Sequence, residues 1–554
     1  MTRAPFDAAA RTAALDAIAS EPLDLLIIGG GITGAGTARD AAMRGLRTAL
    51  VERDDFASGT SSRSSRLIHG GLRYLEHGQF HLVFEASRER RVLLRIAPTL
   101  VHPLKFTWPV YRGARVPKWE LRAGLMLYDA LAMFRNVGRH RMWNAAEIER
   151  LEPRLRHDGL VGGATYFDAS TNDVRLTLAN VRAAADAGAR IANHAMVREL
   201  VVEQGAVRGA EIECGITGRT MRAHARCVVN AAGPWGDSVR HLADPKATVG
   251  VRGTRGAHIA VARISAGTAD AIAITHPRDG RVMFILPAGD FTIFGTTDTD
   301  YFGALDQVRA TREDVRYLLE AADHYLPATA LSPDDVVAAW AGIRPLVASN
   351  AASTAAVSRE HAITAGPRGL LTVSGGKLTT YRLMAEQIVD RTEKVIGRAH
   401  VRAATADVPL VPDDEREPAR AALGPAVAQA VRNEMALTVS DVLIRRLQLA
   451  YERRDNALSL APVVARQMAP MLGWTESQER DAPAEDRGAR DDPRRRRRVA
   501  TRSRRSASHR ECNRPPRRVP AIRSSRASAP FAARPPGRAR ARCRGARTRA
   551  ATAG

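Results

Sequence analysis

Cysteine is scarce in this 554-residue sequence, which contains only four such residues. They are Cys214, Cys227, Cys512 and Cys543, and no two of them form a C-x-x-C pair. This scarcity argues against a disulfide framework and against a zinc site built on cysteine. We therefore expect a protein of the reducing cytoplasm that holds no metal ion.

Long apolar runs are also missing. The longest uncharged stretch near the start extends only from Leu25 to Ala38 and is rich in glycine, whereas a membrane-spanning helix needs about 20 apolar residues. An export signal is not predicted either, because Arg11 and Asp16 interrupt the segment that would have to be apolar. The sequence therefore predicts no membrane span.

Lysine is absent from the C-terminal segment, where arginine is in large excess. Residues 481–554 contain 23 arginines and six acidic residues, so they carry +17 of the formal net charge of +24 and leave +7 for residues 1–480. The segment has neither helical nor strand periodicity and holds a single aromatic residue, Phe531. We expect residues 481–554 to be a disordered tail, because such a composition cannot offset the entropy of ordering.

The composition of this tail has two possible origins. Arginine, alanine, proline and glycine are the residues that GC-rich DNA encodes when it is read out of frame, so we interpret the tail as a frameshifted terminus. The alternative is a genuine basic extension that binds nucleic acid or anionic lipid, although nucleic acid is not an expected partner. A frameshift also leaves open that the chain is a non-functional product.

The chain begins with a βαβ pattern. Leu23–Ile28 is a short apolar run typical of a buried parallel strand, Thr33–Arg44 is predicted as a helix, and Thr48–Glu52 as a second strand. Residues 1–20 form a helical lead-in to this unit. Such a start is typical of an α/β protein with a parallel sheet.

The turn between the first strand and the helix carries Gly29-x-Gly31-x-x-Gly34. These glycines allow a tight turn, a close approach of a pyrophosphate to the backbone, and close packing of the helix on the sheet. Glu52 ends the second strand, where a carboxylate can accept hydrogen bonds from a ribose. The pattern predicts dinucleotide binding, and its place at the start of the chain, with no second copy, favours FAD over NAD.

Four further motifs, in this order, resemble the signatures of the FAD-dependent, aerobic-type glycerol-3-phosphate dehydrogenases. They are Thr60–Glu76 (TSSRSSRLIHGGLRYLE), Asn230–Trp235 (NAAGPW), Gly295–Asp298 (GTTD) and Gly375–Arg382 (GGKLTTYR), and Gly342–Leu346 (GIRPL) also fits. The similarity extends from about residue 24 to 390 and resumes at Asn433–Arg446. It implies an α/β fold with a glutathione-reductase-like FAD-binding domain, an inserted mixed or antiparallel β-sheet substrate domain and a small C-terminal helical domain.

The resemblance also implies a division of the chain into domains. We assign 21–395 to the oxidoreductase region, 396–430 to a linker shorter than in the family, 431–480 to a partial C-terminal helical domain, and 481–554 to the tail. Within the oxidoreductase region, the parts at about 21–110, 165–240 and 340–395 are expected to bind FAD. The parts between them, which contain several short β-rich runs, are expected to cap the substrate.

The activity implied by the resemblance is FAD-dependent oxidation of sn-glycerol 3-phosphate to dihydroxyacetone phosphate, by hydride transfer to flavin N5 and with quinone as the electron acceptor. An oxidase that uses oxygen remains an alternative, as does a flavin enzyme for another small hydroxy or amino acid. The expected location is the inner face of the cytoplasmic membrane, with peripheral attachment, and a homodimer is left open.

The substrate phosphate needs fixed cations, and a guanidinium fork matches its oxygens. Arg73, Arg344 and Arg359 stand where the family places arginines that face the substrate. Tyr74, beside Arg73, is a further candidate for substrate contact. The substrate hydroxyl also needs a proton acceptor. His258 matches a family histidine of the substrate site and is our candidate base, with His69 as the alternative.

Lys377 follows two glycines at the start of a predicted helix. A lysine together with a helix N-terminus would stabilise the negative charge that reduced flavin carries around N1 and the C2 carbonyl. The residues predicted to bind the cofactor are Gly29, Gly31, Ile32, Thr33, Gly34, Glu52, Arg53, Thr60, Ser61, Ser62, Ser64, His69, Gly70, Gly71, Val197, Ala231, Gly233, Gly376, Lys377, Leu378 and Thr379.

Residues Arg112–Trp143 mix large apolar side chains with arginine and lysine. This composition predicts a helix from Trp119 to Arg135 that lies in the headgroup layer of a membrane, with apolar side chains inserted and basic side chains on anionic lipid. The alternative is that the apolar side chains face the protein core, as they do in most amphipathic helices.

Overall fold

Two β-sheets organise the described part of the chain, which in this computed structural model comprises residues 4–348, 359–410 and 422–491. The strands are β1 (Leu23–Ile28), β2 (Thr48–Val51), β3 (Leu67–Ile68), β4 (Val101–Tyr111), β5 (Arg141–Trp143), β6 (Leu160–Thr171), β7 (Arg190–Ala192), β8 (Ala195–Glu203), β9 (Ala206–Cys214), β10 (Thr220–Asn230), β11 (Val251–Ala262), β12 (Ala271–Thr275), β13 (Val282–Ala288), β14 (Phe291–Gly295), β15 (Thr299–Asp300), β16 (Val336–Val347), β17 (His361–Ala365) and β18 (Leu370–Gly375).

Helices cover both sheets and form the C-terminal part of the described chain. They are α1 (Ala8–Ser20), α2 (Ile32–Met43), α3 (Phe80–Ile96), α4 (Lys118–Leu131), α5 (Ala145–Leu151), α6 (Asp173–Asp186), α7 (Gly236–Ala243), α8 (Arg263–Ala266), α9 (Arg312–Tyr325), α10 (Tyr381–Ile396), α11 (Leu423–Asn433), α12 (Ala461–Leu472) and α13 (Glu476–Asp491). Among the helices of the described ranges, none combines the length and the apolar character that crossing a bilayer requires.

The first sheet contains the predicted βαβ unit. Its strand order is β17-β18-β10-β1-β2-β7, and β8 and β9 form a hairpin that continues from β10. Strand β1 pairs in parallel with both β2 and β10, and all six of its residues are buried, as expected for a strand covered on both faces. Helix α2 packs closely on β1 because Gly34 has no side chain. A Cβ atom at this position would overlap the Gly29 carbonyl oxygen.

The second sheet has the order β15-β11-β14-β13-β12-β4-β6-β3, with β16 paired to β11 and β5 to β6. Its pairs are antiparallel except for β12 and β4. The sheet is therefore mixed, as the sequence predicted. Strands β4 and β16 belong to this second sheet, although they overlap the parts at about 21–110 and 340–395 that were assigned to FAD binding. Strand patterning shows that a strand exists, but partners that are distant in the chain decide which sheet it joins.

The C-terminal helices are attached to the first sheet by a buried charge cluster around Asp55. The Asp55 carboxylate accepts hydrogen bonds from Arg445 Nε and Arg446 Nη1, each at 2.6 Å. His194 Nε2 lies 2.9 Å from Asp441 in the same cluster. These ionic groups are buried and are paired with one another. Removing one partner would therefore leave an unpaired buried charge.

Two predicted boundaries near the C-terminus need correction. Helix α11 begins at Leu423, inside the predicted linker at 396–430, and helix α13 extends to Asp491, beyond the predicted start of the disordered tail at 481. The first turn of α13 is stabilised by a capping pair, in which Gln478 Oε1 accepts from Thr475 N at 2.9 Å, and by two acidic residues. The rest of the predicted tail, 492–554, lies outside the described residues, as do 411–421 of the linker.

Candidate functional site

A cavity of about 660 Å³ is lined by residues of both sheets. One side consists of the glycine turn after β1, the segment 58–74, the turn after β10 and the loop that joins β18 to α10. The other side consists of side chains from the second sheet, among them Phe106, Trp108, Tyr166, His258, Arg281, Phe284 and Arg344. The predicted nucleotide and substrate residues therefore meet in one cavity.

The glycine turn forms one end of this cavity. Helix α2 begins at Ile32, whose backbone N–H donates to Ser61 Oγ at 2.9 Å. A Cβ atom at Gly31 would meet Ser61 Oγ at 3.2 Å and no other neighbour within 4 Å, so the remaining space beside this backbone is open. Backbone N–H groups at a helix N-terminus are suited to the phosphates of a dinucleotide.

Glu52 lies in the cavity wall beside this turn. Its carboxylate accepts from Gly30 N at 2.7 Å and from Asp54 N at 2.9 Å, which fixes its orientation. Burial, followed by the charge of Asp54, raises the pKa of Glu52. These two bonds hold the carboxylate at the end of β2, in the wall of the cavity.

A further part of the cavity wall consists of Arg53, Trp235 and Asp306. The Arg53 guanidinium carbon lies 4.3 Å from the centre of the Trp235 ring, and its Nη2 pairs with Asp306. Trp235 Nε1 donates to the same carboxylate at 3.1 Å. Arg53 was predicted as a cofactor residue, whereas Asp306 carried no signal in the sequence and is identified only by its position.

The other end of the cavity contains the Asp298 carboxylate, which is surrounded by three arginines. Its oxygens accept from Arg281 Nη1 at 2.9 Å, Arg344 Nη1 at 3.1 Å and Arg359 Nη2 at 3.3 Å. Burial would raise the pKa of Asp298, but the three guanidiniums outweigh it and lower the pKa to about 2. The group is therefore ionised at any neutral pH.

His258 lies on β11 next to this cluster. Its Nε2 is 2.9 Å from Ser65 Oγ, and its ring stacks on Trp340 with the ring centres 5.4 Å apart. Burial, and then the positive charges of Arg344 and Arg66, lower the pKa of His258 to about 3. The imidazole is therefore neutral near pH 7.

His69 belongs to the same cavity but has different partners. Its backbone N–H donates to Thr379 Oγ1 at 3.0 Å, and the Thr379 hydroxyl donates back to the His69 carbonyl at 3.1 Å. Two predicted cofactor segments, far apart in sequence, are thereby joined. Burial, then the charges of Lys377 and Arg73, lower the pKa of His69 to about 3.

Lys377 projects toward the cavity from the loop before α10. Its Nζ atom has no hydrogen-bond partner among the described residues and lies 3.8 Å from the centre of the Tyr74 ring. Burial, then the charges of Arg359 and Arg73, lower the pKa of Lys377 to about 7. The preceding Gly376 has φ = +85°, and a Cβ atom there would overlap Met384. The loop therefore requires glycine.

Most predicted site residues line the cavity, with three exceptions. Gly34 lies behind the turn, where the absence of a side chain lets α2 approach β1. The Ser62 hydroxyl donates to Gly59 O at 3.4 Å. Gly70 N donates to Tyr128 Oη and to Asp168, each at 3.0 Å, on the side facing the core.

Sequence reasoning missed several lining residues. Asp298 was quoted as part of a motif but was not assigned a role, and Arg281 and Trp235 were not selected as site residues. The sequence contains 83 basic residues, so an arginine outside a motif gives no signal of its own. The cavity fits FAD on three observations: the open glycine turn, the oriented Glu52 carboxylate, and the unpartnered Lys377 ammonium for an anionic ring edge.

Comparison with known proteins gives a consistent result. Residues 24–382 match the family described as FAD dependent oxidoreductase, and residues 384–479 match the C-terminal domain of alpha-glycerophosphate oxidase. The glycerol-3-phosphate dehydrogenase of Synechocystis sp. is 35% identical over 519 residues, which cover 82% of this chain and 94% of the relative. The aerobic glycerol-3-phosphate dehydrogenase of Bacillus subtilis is 38% identical over 385 residues, covering 70% of this chain and 69% of the relative.

A solved structure agrees with these relatives. The glycerol-3-phosphate dehydrogenase from Bacillus halodurans complexed with FAD has a TM-score of 0.72 and 29% identity, and covers 88% of this chain and 99% of its own. The fold class and the FAD dependence predicted from the motifs are confirmed. The chain belongs to the FAD dependent oxidoreductase family, among the relatives named glycerol-3-phosphate dehydrogenase.

Proposed function

We propose that this protein oxidises sn-glycerol 3-phosphate to dihydroxyacetone phosphate with FAD as its cofactor. The observation that carries the proposal is the arginine cluster on Asp298 next to the neutral imidazole of His258, at the opposite end of the cavity from the glycine turn. This is an arrangement for a phosphorylated alcohol that lies beside a dinucleotide. It agrees with the names of the relatives, which were also the ones predicted from the sequence motifs.

FAD would be held by the residues that form the wall opposite the second sheet. The N-terminus of α2 and the Gly29–Thr33 turn would hold the pyrophosphate, and Glu52 the ribose. The loop at 376–379 would approach the flavin ring, with Lys377 beside its N1 edge. When bound, FAD supplies the hydride acceptor; the protein supplies binding, orientation and charge.

The substrate phosphate would lie against the arginine cluster. Arg359 donates one N–H group to Asp298, and Arg344 donates one to Asp298 and its Nη2 to Thr296 and Thr297. Since a guanidinium has five N–H groups, each arginine keeps some for phosphate oxygens. Arg73 and Tyr74 line the same part of the cavity. Fixing the phosphate holds the alcohol carbon at a constant position, which contributes to catalysis through orientation.

His258 is the side chain that we assign as proton acceptor, at Nε2. It lies at the substrate end of the cavity, whereas the backbone of His69 bonds to a segment of the predicted flavin site. A phosphate dianion bound beside Arg344 would counter the positive charge that lowers the pKa of His258 and would raise that pKa toward its ordinary range. The imidazole then becomes a stronger base when the substrate is present.

Lys377 would act on the flavin rather than on the substrate. An ammonium beside the flavin N1 edge stabilises negative charge that develops on reduction. Its lowered pKa of about 7 shows that the protonated form is disfavoured while the anion is absent. An anion bound beside it would reverse this preference, because opposite charges stabilise each other.

A steady-state assay with an artificial electron acceptor tests the proposed substrate. The full chain, purified with its flavin, should turn over glycerol 3-phosphate and should leave glycerol, glycine and proline unchanged. Glycerol controls for the hydroxyl without the phosphate. Turnover of an amino acid, with none of glycerol 3-phosphate, would exclude the proposal and favour an amino acid oxidase.

We also propose that the acceptor is a quinone, reached by peripheral attachment to the cytoplasmic membrane through helix α4. Leu121 and Leu125 are buried in the core, but Trp119, Met126 and Phe134 are 73%, 54% and 60% exposed. The helix ends at Leu131, before the predicted Arg135. One face thus packs inward and the other presents large apolar side chains to solvent.

Exposed basic residues lie before, within and after this helix in the sequence. They are Arg112, Arg115, Arg122, Arg135 and Arg139. Arginines around exposed tryptophan and phenylalanine suit an anionic lipid surface, where the apolar side chains enter the headgroup layer. A lipid-soluble acceptor requires an enzyme to reach the bilayer, whereas oxygen does not.

Co-sedimentation with vesicles of anionic lipid tests this attachment. A chain that ends at Asp491, and so lacks the arginine-rich tail, should sediment at low salt, and reversing the charges of Arg115, Lys118 and Arg122 should release it. Exchanging Arg316 and Arg312 on helix α9 for glutamate is the matched control. A flavin-loaded protein that stays in the supernatant and forms hydrogen peroxide would favour the oxidase alternative.

A further inference from the structure

Asp298 and its arginines come from four separate segments. Arg281 precedes β13, Asp298 follows β14, Arg344 lies on β16, and Arg359 precedes β17. Strand β11 pairs with β14, β15 and β16, which brings the GTTD turn next to Arg344. The sheet therefore assembles the cluster, and the carboxylate is the group to which all three guanidiniums bond.

The turn that carries Asp298 is itself fixed by buried hydrogen bonds. Thr297 Oγ1 accepts from Ala257 N at 2.9 Å and donates to Asp314 at 3.2 Å. Arg344 Nη2 donates to Thr296 Oγ1 at 2.8 Å and to the Thr297 carbonyl at 3.1 Å. Asp298 is thus attached to a rigid part of the second sheet, and it can impose a fixed geometry on the arginines that it binds.

A carboxylate at the centre of a phosphate site needs a physical reason, since it repels the ligand. Three guanidiniums that share one neighbour would repel each other and separate if they were unpaired. Asp298 neutralises one of the three charges and uses one N–H group of each arginine. The four groups together keep two net positive charges, and Arg73, whose charge also acts on Arg344 and Arg359, adds a third. This excess of positive charge suits a phosphate monoester, which carries about −2 at neutral pH.

We propose that Asp298 is a positioning residue that holds Arg281, Arg344 and Arg359 as a preformed site for a phosphate dianion, and that Arg281 is one of the arginines that contact the phosphate. The proposal rests on the proposed function, because the dianion is that of the substrate. Arg281 is placed for this contact, since it lines the cavity and its Nη1 is already fixed by Asp298.

A purely structural salt bridge is the competing explanation, and a pair nearby provides the control. Arg252 and Asp300 form a bidentate pair at 2.8 Å on the same part of the sheet, but they do not line the cavity. Asp300→Asn therefore weakens a carboxylate–arginine pair outside the cavity and removes none of the hydrogen bonds that join Asp298 to its three arginines. Arg278→Met, three residues before Arg281 and exposed on the surface, is the control for Arg281→Met.

The experiment uses the full-length holoenzyme and measures KM, kcat and the dissociation constant of inorganic phosphate, the last from its perturbation of the flavin spectrum. Asp298→Asn and Arg281→Met should each raise KM and the phosphate dissociation constant at least tenfold and change kcat less than threefold. Asp298→Glu should recover part of the loss. The double variant should have a phosphate dissociation constant only slightly higher than that of the single variant that binds phosphate less tightly, because both changes disrupt one cluster.

Each outcome decides the proposal. Unchanged phosphate binding in Asp298→Asn and Arg281→Met would overturn it, as would equal losses in Asp300→Asn and Arg278→Met. If Asp298→Asn does not retain flavin, Arg281→Met decides alone, because it leaves Asp298 paired with two arginines. Native enzyme that does not oxidise glycerol 3-phosphate would refute the proposed function, whereas the phosphate titration would still test the cluster.

Discussion

The Nζ atom of Lys377 lies 3.8 Å from the centre of the Tyr74 ring. A cation over an aromatic face is attracted by the ring, but this contact does not replace the hydrogen bonds that a buried ammonium needs. Burial, followed by the charges of Arg359 and Arg73, lowers the pKa of Lys377 to about 7. Two motifs that are 303 positions apart in the sequence thereby meet at the point where the substrate and the flavin ring are expected to adjoin.

Lys377→Met should slow flavin reduction at least tenfold and change KM for the substrate less than threefold. The variant keeps the volume of the side chain but loses the charge that stabilises the reduced flavin. Stopped-flow reduction under anaerobic conditions measures the rate. Lys394→Met, an exposed position on α10, is the control and should behave like native enzyme. An unaltered reduction rate in Lys377→Met would remove the residue from this role.

Arg344→Lys should lower kcat/KM at least tenfold, which corresponds to about 1.4 kcal/mol. An ammonium cannot reproduce the contacts that the guanidinium makes to Asp298, Thr296 and the phosphate at the same time. Arg316→Lys on the exposed face of α9 is the matched change. Native kinetics in Arg344→Lys would show that the phosphate binds elsewhere.

Gly31→Val should abolish flavin binding. The side chain would enter the space beside the N-terminus of α2, where the pyrophosphate is expected. Flavin released by denaturation, relative to protein, measures the content. Gly424→Val, at the start of α11, where a Cβ atom would meet only Gln467 Nε2 at 3.7 Å, tests for a general effect of valine in place of glycine. Full flavin content in Gly31→Val would contradict the assignment of the cofactor site.

His258 should make the flavin-free protein sensitive to mild acid. Its folded pKa of about 3 lies below the ordinary value of 6.5, so between these pH values the unfolded chain binds a proton that the native chain does not. Stability therefore falls as the pH drops through this window, by about 1.4 kcal/mol per pH unit for one such group. His69, which is shifted in the same direction, adds to the effect.

Urea unfolding from about pH 7 to about pH 5 measures this dependence. His258→Gln should reduce the slope of unfolding free energy against pH, because glutamine does not titrate. His81→Gln, at an exposed position, should keep the native slope. An equally steep slope in His258→Gln would show that the imidazole is not held neutral.

The nucleotide end of the site could be predicted from sequence because its parts are local. Gly29, Gly31 and Glu52 lie within one βαβ unit, where strand, turn and helix are adjacent in the chain. Lys377, His258 and Arg344 were found because each lies in or beside a motif of the family. For these residues, a local sequence pattern was enough to predict a place in the cavity.

The substrate end could not be predicted to the same depth. Arg281 becomes recognisable only when β13, β14 and β16 join one sheet and bring it to Asp298. For the same reason the sequence did not indicate that β4 and β16 join the second sheet. Helix α13 was shortened in the prediction because the arginine-rich composition after 480 concealed a locally capped helix start.

Anaerobic titration of the full-length, flavin-loaded protein with glycerol 3-phosphate is the most direct measurement. We expect the yellow absorbance of oxidised flavin to bleach in proportion to the substrate added and dihydroxyacetone phosphate to appear in the same amount. Glycerol and inorganic phosphate, added separately, should leave the flavin oxidised. A flavin that remains oxidised with glycerol 3-phosphate but bleaches with another hydroxy or amino acid would contradict the proposed function.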